Sequence, residues 1–306
     1  MSTVAVKDQR EIHVVEPEPE KEAFSLIKRV RLWEMYVAML KCRMTADTVS
    51  SLRTPRLPDF SETVGWEAAV AAVTVDLHTE DGLSLTRESS LSALVKGAKL
   101  ESLLTSPKNT AGQKRAMLHG LGVGVLPQEG GNAARLHTAC GVAMAHKMRC
   151  SGRVVVAFME SSEDSVASNR EALAFCGRHQ LPMILVDLHA TEKRESLVQE
   201  GDKHLARMAH GVPTIAVDGG DVVAVYRVAS EALSRARIDR GATLIECLGP
   251  RHEAMQAWRN NGQPHDPIGA METYLSAKGL FREKRKNEIV SEIRRELETA
   301  IGLSRK

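Results

Sequence analysis

In the second half of the chain, short apolar runs alternate with helix-patterned stretches, and this restricts the fold more than any other feature. Residues 153–159, 182–186, 213–217 and 243–248 are rich in Val, Ile and Leu. Their apolar residues are continuous rather than alternating with polar ones, as in a strand covered on both faces. Between them lie stretches with helical patterning. These are 133–148, a segment from the polar turn at 160–165 to about Gln180, a short piece around 203–210, and 221–238 with Asp221 as N-cap. Strands that alternate with helices build a parallel sheet with helices on both faces, an α/β fold.

The first half reads as mainly helical. From Phe24 onward Ile27, Val30, Trp33, Val37, Leu40 and Met44 recur every three or four residues, a helix facing a core that breaks near Pro55 and Pro58. Ala68, Ala69, Ala71 and Ala72 dominate a second helix expected over 65–77, and such small side chains let another element approach closely. A short strand is expected at 82–86, a helix over 90–104 and a long loop over 105–132. A last helix is expected at 283–301, with Ile289, Ile293 and Leu297 at four-residue spacing. Residues 1–23 differ in kind. Acid and proline alternate from Glu16 to Glu20, so this segment is expected to be a disordered tail, with 24–306 as a single domain.

Charge and cysteine content narrow the function classes. The 41 Lys and Arg against 39 Asp and Glu leave a formal charge of +2, without the basic excess of a nucleic-acid binder. Only 4% of residues are Phe, Trp or Tyr, too few for a base-stacking surface. No apolar run approaches the ~18 residues of a membrane helix, and the first ten residues lack the apolar core of a secretory signal. Five scattered cysteines without a CxxC pair point to a reducing, cytoplasmic compartment.

Ligands of parallel sheets bind at the carboxyl ends of the strands. The turn after the 153–159 run reads Glu160-Ser161-Ser162-Glu163-Asp164-Ser165. Serines and amides at a helix N-terminus suit an anion, but three carboxylates oppose one, and helix capping is the simpler role. Gly120-Leu-Gly-Val-Gly124 has dinucleotide-loop glycine spacing without the strand that should precede it. His137, Cys140, His146 and Cys150 invite a metal reading, and both histidines fall on one expected helix. His137 and His146 would stand about 13 Å apart along its axis, too far for one tetrahedral metal. Ser161 lacks the Gly-x-Ser-x-Gly surroundings of a hydrolase nucleophile. The basic run at 282–286 reads as a solvated helix face.

Several segments taken together resemble a family. Glu171-Ala-Leu173 with Leu181-Pro182, Gly65-Trp-Glu-Ala68, the stretch from Gly211 to Gly219 followed by Asp221-Val222, and Gly241-Ala-Thr-Leu-Ile-Glu246 occur in an order and spacing similar to the alpha subunit of thiamine-diphosphate-dependent 2-oxo acid dehydrogenases, of the pyruvate, branched-chain and acetoin types. Asp266-Pro-Ile268 and Lys278-Gly-Leu280 resemble its C-terminal region. The resemblance spans about Phe24 to Ile301. It implies a parallel-sheet thiamine-diphosphate-binding fold, a cofactor of thiamine diphosphate with magnesium, and a beta-type partner in a heterotetramer.

The resemblance also assigns the cofactor positions. Family members hold the metal with the Asp of a Gly-Asp-Gly turn and with an Asn further along. Those positions fall here on Glu160-Ser161-Ser162 and on Ala190. Both metal ligands and both glycines are therefore replaced. The family's Tyr-Arg-x-His becomes Thr86-Arg87-Glu88-Ser89, where only Arg87 persists. A His-containing loop after Leu248 is shortened to a segment at about 249–258. Glu160, Ser161, Ser162, Ala190 and Arg87 are thus the expected remnants of a cofactor site, with no metal ligands and no catalytic residue assigned.

Three functions remain open at the level of sequence. The first is a degenerate, catalytically inactive alpha chain that acts by association with a beta-type subunit, a homologous alpha chain or itself, as a dimer or heterotetramer. Helices 65–77 and 133–148 are its candidate interface elements, with an internal position equally open for both. The second is a working subunit that decarboxylates a 2-oxo acid and passes the acyl group to lipoamide. The third is a module for another anion at Arg87, Ser161 and Ser162. Neither nucleic acid nor a membrane is an expected partner.

Overall fold

The computed structural model describes residues 27–52, 57–105, 123–127, 130–160, 162–190, 208–249 and 266–304. The expected tail at 1–23, most of the expected loop at 105–132, Ser161, and the shortened segment beyond Gly249 lie outside them.

Six strands form one sheet among the described residues: β1 (Gly82–Ser84), β2 (Val155–Met159), β3 (Met183–Ala190), β4 (Met208–Ala209), β5 (Val212–Asp218) and β6 (Thr243–Gly249). Their order is β1-β2-β3-β6-β5-β4. Every neighbouring pair is parallel except β4 with β5. The helices are α1 (Arg29–Ser51), α2 (Glu67–Thr74), α3 (Ser92–Val95), α4 (Leu100–Leu104), α5 (Asn132–Met148), α6 (Val166–His179), α7 (Val222–Arg237), α8 (Pro267–Ala277) and α9 (Glu283–Ser304). None of them is long and apolar enough to cross a membrane.

The continuous apolar runs are explained by two cores. Along β2, Val154, Val156 and Phe158 enter a core shared with α1, α2 and α7. Val155, Ala157 and Met159 enter a second core shared with α5 and α6. Alternate side chains of a strand point to opposite faces, so β2, buried on both faces, is apolar at successive positions. α2 is the extreme case, since all eight of its residues are buried. It packs between α1 and α7 and is internal, so the interface role weighed for helix 65–77 has no exposed face to support it.

Three local outcomes differ from the sequence reading. Met208–Ala209, expected within a helix, is a strand. His210 and Gly211 have φ of 51° and 83°, and this two-residue reverse turn pairs Met208 with Pro213. The sheet is therefore mixed at its edge rather than wholly parallel. The helix expected over 90–104 divides into α3 and α4 around Gly97, whose φ is +104°. α8 went unrecognised. Asp266 caps it by accepting from Ile268 N–H at 3.2 Å, and Pro267 occupies the first turn, an N-terminal signal legible in Asp-Pro.

Buried charges tie the layers together at fixed points. The Asp81 side chain, wholly enclosed, receives Arg237 Nη2 at 2.6 Å and the backbone N–H groups of His78 at 2.7 Å and Val154 at 3.1 Å. This joins the approach to β1, the start of β2 and the end of α7. Buried Glu67 accepts from Gly65 N–H at 2.8 Å and from Arg43 Nε at 2.5 Å, while Arg43 Nη2 reaches Asp266 at 3.1 Å. Lys96, also buried, donates to the carbonyls of Thr79, Asp81 and Val123. Val125 in turn bridges to Leu83 along β1. Gly124 lies in that bridging segment, and a Cβ there would stand 2.2 Å from Asp81 O. The last glycine of the Gly120–Gly124 motif thus serves packing against β1.

Candidate functional site at the carboxyl edge of the sheet

β1, β2 and β3 are parallel neighbours, with Ser84 opposite Ala157 and Met159 opposite Asp187. β3 and β6 end together, Ala190 opposite Gly249. Arg87, Glu160, Ser162 and Ala190 therefore follow or close strands at one edge of the sheet, where the resemblance puts a cofactor. Ser161 lies outside the described residues.

The turn after β2 is held by amide side chains that the sequence reading did not single out. Asn132, at the first turn of α5, accepts the Glu160 N–H at 3.3 Å through Oδ1. Asn169 of α6 donates through Nδ2 to the Glu160 carbonyl at 2.9 Å. The two asparagines are joined by Asn132 Nδ2 donating to Asn169 Oδ1 at 2.8 Å, and Asn132 Nδ2 also reaches Ser168 Oγ at 2.7 Å. Both polar backbone groups of Glu160 are thus engaged inside the protein.

Arg135 completes this network. Its guanidinium, 1% exposed, donates to Phe158 O at 2.7 Å, Asn132 Oδ1 at 2.7 Å and Ser84 Oγ at 3.1 Å. It therefore clamps the ends of β1 and β2 to the start of α5. Asn132, Arg135 and Leu136 recur on one face of α5, but periodicity alone marks an Arg in such a row as outward-facing. The available signal was the Asn-x-x-Arg spacing that puts both side chains on one helical face.

The remaining predicted positions are placed as follows. Ser162 is exposed, and its hydroxyl meets that of Ser165. Ser165 is the N-cap residue of α6 but makes no side-chain cap bond, so the capping expected for this turn is met in position and not in hydrogen bonding. The partly exposed Arg87 guanidinium pairs with Glu62. Ala190 closes β3. Of the four residues considered for a metal, Cys140 faces Cys176 rather than a histidine. His137 Nε2 lies 3.4 Å from Glu171 on α6, with both side chains exposed. Cys150 is exposed beyond α5, and His146, partly exposed on α5, has its pKa lowered by burial and by Arg153.

Two further features occupy the same edge. The Trp66 ring lies against the ends of β5 and β6. A Cβ at Gly249 would come within 2.2 Å of Trp66 Cη2, and one at Gly219 within 3.0 Å of its Cζ3. Beside it, a cavity of about 620 Å³ opens between β5, β6 and α8, lined among others by Asp218, Asp221, Leu248, Met271 and Tyr274. Asp221 caps α7 through the N–H groups of Val223 and Ala224, and Asp218 accepts from Gly220 N–H. Among the described residues no cationic side chain lines this cavity.

Comparison with known proteins shows the family. Residues 37–306 match the model of the family described as "Dehydrogenase E1 component". The chain belongs to that family, and its relatives are alpha subunits of 2-oxo acid dehydrogenases and of a related acetoin enzyme. The chain is 29% identical over 248 residues to the alpha subunit of acetoin:2,6-dichlorophenolindophenol oxidoreductase from Bacillus subtilis, covering 76% of this chain and 73% of that protein. It is 26% identical over 267 residues to the pyruvate dehydrogenase E1 component subunit alpha of Acholeplasma laidlawii, covering 80% and 75%. It is 30% identical over 273 residues to the corresponding subunit of Staphylococcus epidermidis, covering 83% and 72%.

Proposed function

We propose that this chain is an alpha-type member of the family whose cofactor site is dismantled and which acts through subunit association. Its partner would be a beta-type dehydrogenase subunit, a homologous alpha chain or a second copy of itself. What carries this reading is the pair of residue identities at positions 161 and 190. Ser161 and Ala190 stand where the resemblance puts both metal ligands. A neutral hydroxyl and a methyl group do not supply the oxygen donors that magnesium demands.

The neighbouring groups support the same conclusion. Glu160 and Ser162 replace two glycines, whose missing side chains allow backbone to approach phosphate. The Glu160 N–H and carbonyl are engaged by Asn132 and Asn169, and Arg87 faces Glu62. These residues do not fit magnesium diphosphate, and no step of a 2-oxo acid reaction is assigned to them. For association, α5 retains an outward face of small residues, Ala134, Thr138, Gly141 and Ala145, that ends at Met148, 79% exposed.

Calorimetric titration of thiamine diphosphate with magnesium, on the chain alone and with a co-expressed beta-type subunit, tests the reading. Co-purification without saturable cofactor binding is expected. Saturable micromolar binding would overturn it in favour of a working decarboxylating subunit. The double variant Ser161→Asp/Ala190→Asn extends the test. Restored binding would confine the loss to those two positions, and no gain would place it also in the surrounding network.

A further inference from the structure

One pair of cysteines lies away from the carboxyl edge. Cys140 on α5 and Cys176 on α6 meet in the second core with 3.7 Å between their sulfur atoms. Met183 Sδ on β3 lies 3.5 Å from Cys176 Sγ. Cys140 is 4% exposed and Cys176 fully buried, and both are free thiols. We propose that Cys140 and Cys176 form a redox modification site, a dithiol that a small peroxide oxidises to a disulfide clamping α5 to α6.

Geometry and chemistry support the pair. The sulfur atoms are already in van der Waals contact, and a bond of about 2.05 Å requires roughly 1.7 Å of further approach. The two thiols share a hydrogen bond in which either can donate, and Cys176 Sγ also donates to Met183 Sδ. Cys140, 4% exposed against none for Cys176, is the thiol nearer the surface, and its thiolate is the nucleophile.

The step balances with hydrogen peroxide as oxidant. The Cys140 thiolate attacks one peroxide oxygen and the O–O bond breaks. The departing hydroxide takes up the proton that Cys140 released and leaves as water. Cys140 is now a sulfenic acid. Cys176 sulfur attacks Cys140 sulfur, the S–S bond forms, and the S–O bond breaks. The second hydroxide leaves as water with the Cys176 proton. Two thiols lose two hydrogens and two electrons, and peroxide is reduced to water. α5 and α6 also carry Asn132, Arg135 and Asn169, so the disulfide would fix the two helices that hold the Glu160 turn.

The test treats the folded full-length chain with hydrogen peroxide. The reaction is quenched, and the chain is unfolded in an alkylating reagent and digested for mass spectrometry. The expected product is a peptide pair linked through Cys140 and Cys176, released by dithiothreitol. The closed loop spans 36 residues, so the unfolding midpoint of the oxidised chain should rise by on the order of 5 °C. That rise should be absent in Cys140→Ser and in Cys176→Ser. Full alkylation of Cys140 and Cys176 at a peroxide dose that consumes exposed Cys150 would overturn the proposal. So would oxidation that ends at separate sulfinic acids, at Met183 sulfoxide alone, or at a disulfide to another cysteine. The mass measurement on the unaltered chain stands even if a variant fails to fold.

Discussion

Replacing Arg237 with methionine should remove a large part of the stability of this fold while leaving the carboxyl edge untouched. Asp81 has no exposed side-chain surface, and Arg237 is 22% exposed. Arg237 gives Asp81 two hydrogen bonds, at 2.6 and 3.1 Å, and a third to Gly152 O at 3.2 Å. Removing one partner of a buried ion pair costs ~3–5 kcal/mol. The His78 and Val154 amides still face the stranded carboxylate, so the lower end, about 3 kcal/mol, applies. Urea unfolding at pH 7 measures it. The double variant Asp81→Asn/Arg237→Met should recover part of the loss, because no buried charge is left alone. The pH dependence has a definite sign. Burial raises the Asp81 pKa, but the Arg237 guanidinium and the two backbone amides outweigh it and hold it below the ordinary value. A depressed carboxylate contributes stability above its unfolded pKa of ~3.9, and loses it as pH falls through the folded value. Without the guanidinium the folded pKa moves up. The gap between wild type and variant should therefore be widest near neutrality and narrow below about pH 4. A loss under ~1 kcal/mol, the range of an exposed pair, or a gap unchanged on acidification would refute the reasoning.

Other consequences are local. Gly249→Ala would drive a methyl into Trp66, 2.2 Å from Cη2, and overpacking of this kind costs ~1–3 kcal/mol. Thermal unfolding should show the loss, and its reversal in Gly249→Ala/Trp66→Leu. Asn132→Leu removes the acceptor of the Glu160 N–H and of Arg135 Nη2. Hydrogen exchange at Glu160 should accelerate, and an unchanged rate would remove Asn132 from the network. Glu171→Ala, which breaks a contact between side chains 52% and 67% exposed, should shift stability by less than ~0.5 kcal/mol, as read by the urea midpoint.

Much of the architecture was legible because burial leaves a pattern in composition. β2, β3, β5 and β6 were read from apolar continuity, and α7 from Asp221, which caps it through two backbone N–H groups. β4 was not legible. Its two residues gain strand geometry only from pairing with β5 across the His210–Gly211 turn. α2 was located correctly, but whether its small residues face a partner or the interior depended on α1 and α7 closing over it.

The carboxyl-edge site divides in the same way. The residues at the assigned positions, Glu160, Ser161, Ser162, Ala190 and Arg87, were available from sequence. What surrounds them was not. Glu62 beside Arg87 and Asn132 beneath Glu160 lie 25 and 28 residues from their partners, and the Arg87 and Asn132 contacts have no local spacing to announce them. The chain by itself determined the alternation of strands and helices and the family, since these are properties of residue type and order. Tertiary structure alone decided that Asp81 meets Arg237, that Trp66 fills the ends of β5 and β6, and that Cys140 touches Cys176. Those contacts arise only when parallel strands stack in register and bring distant segments to the same edge or core.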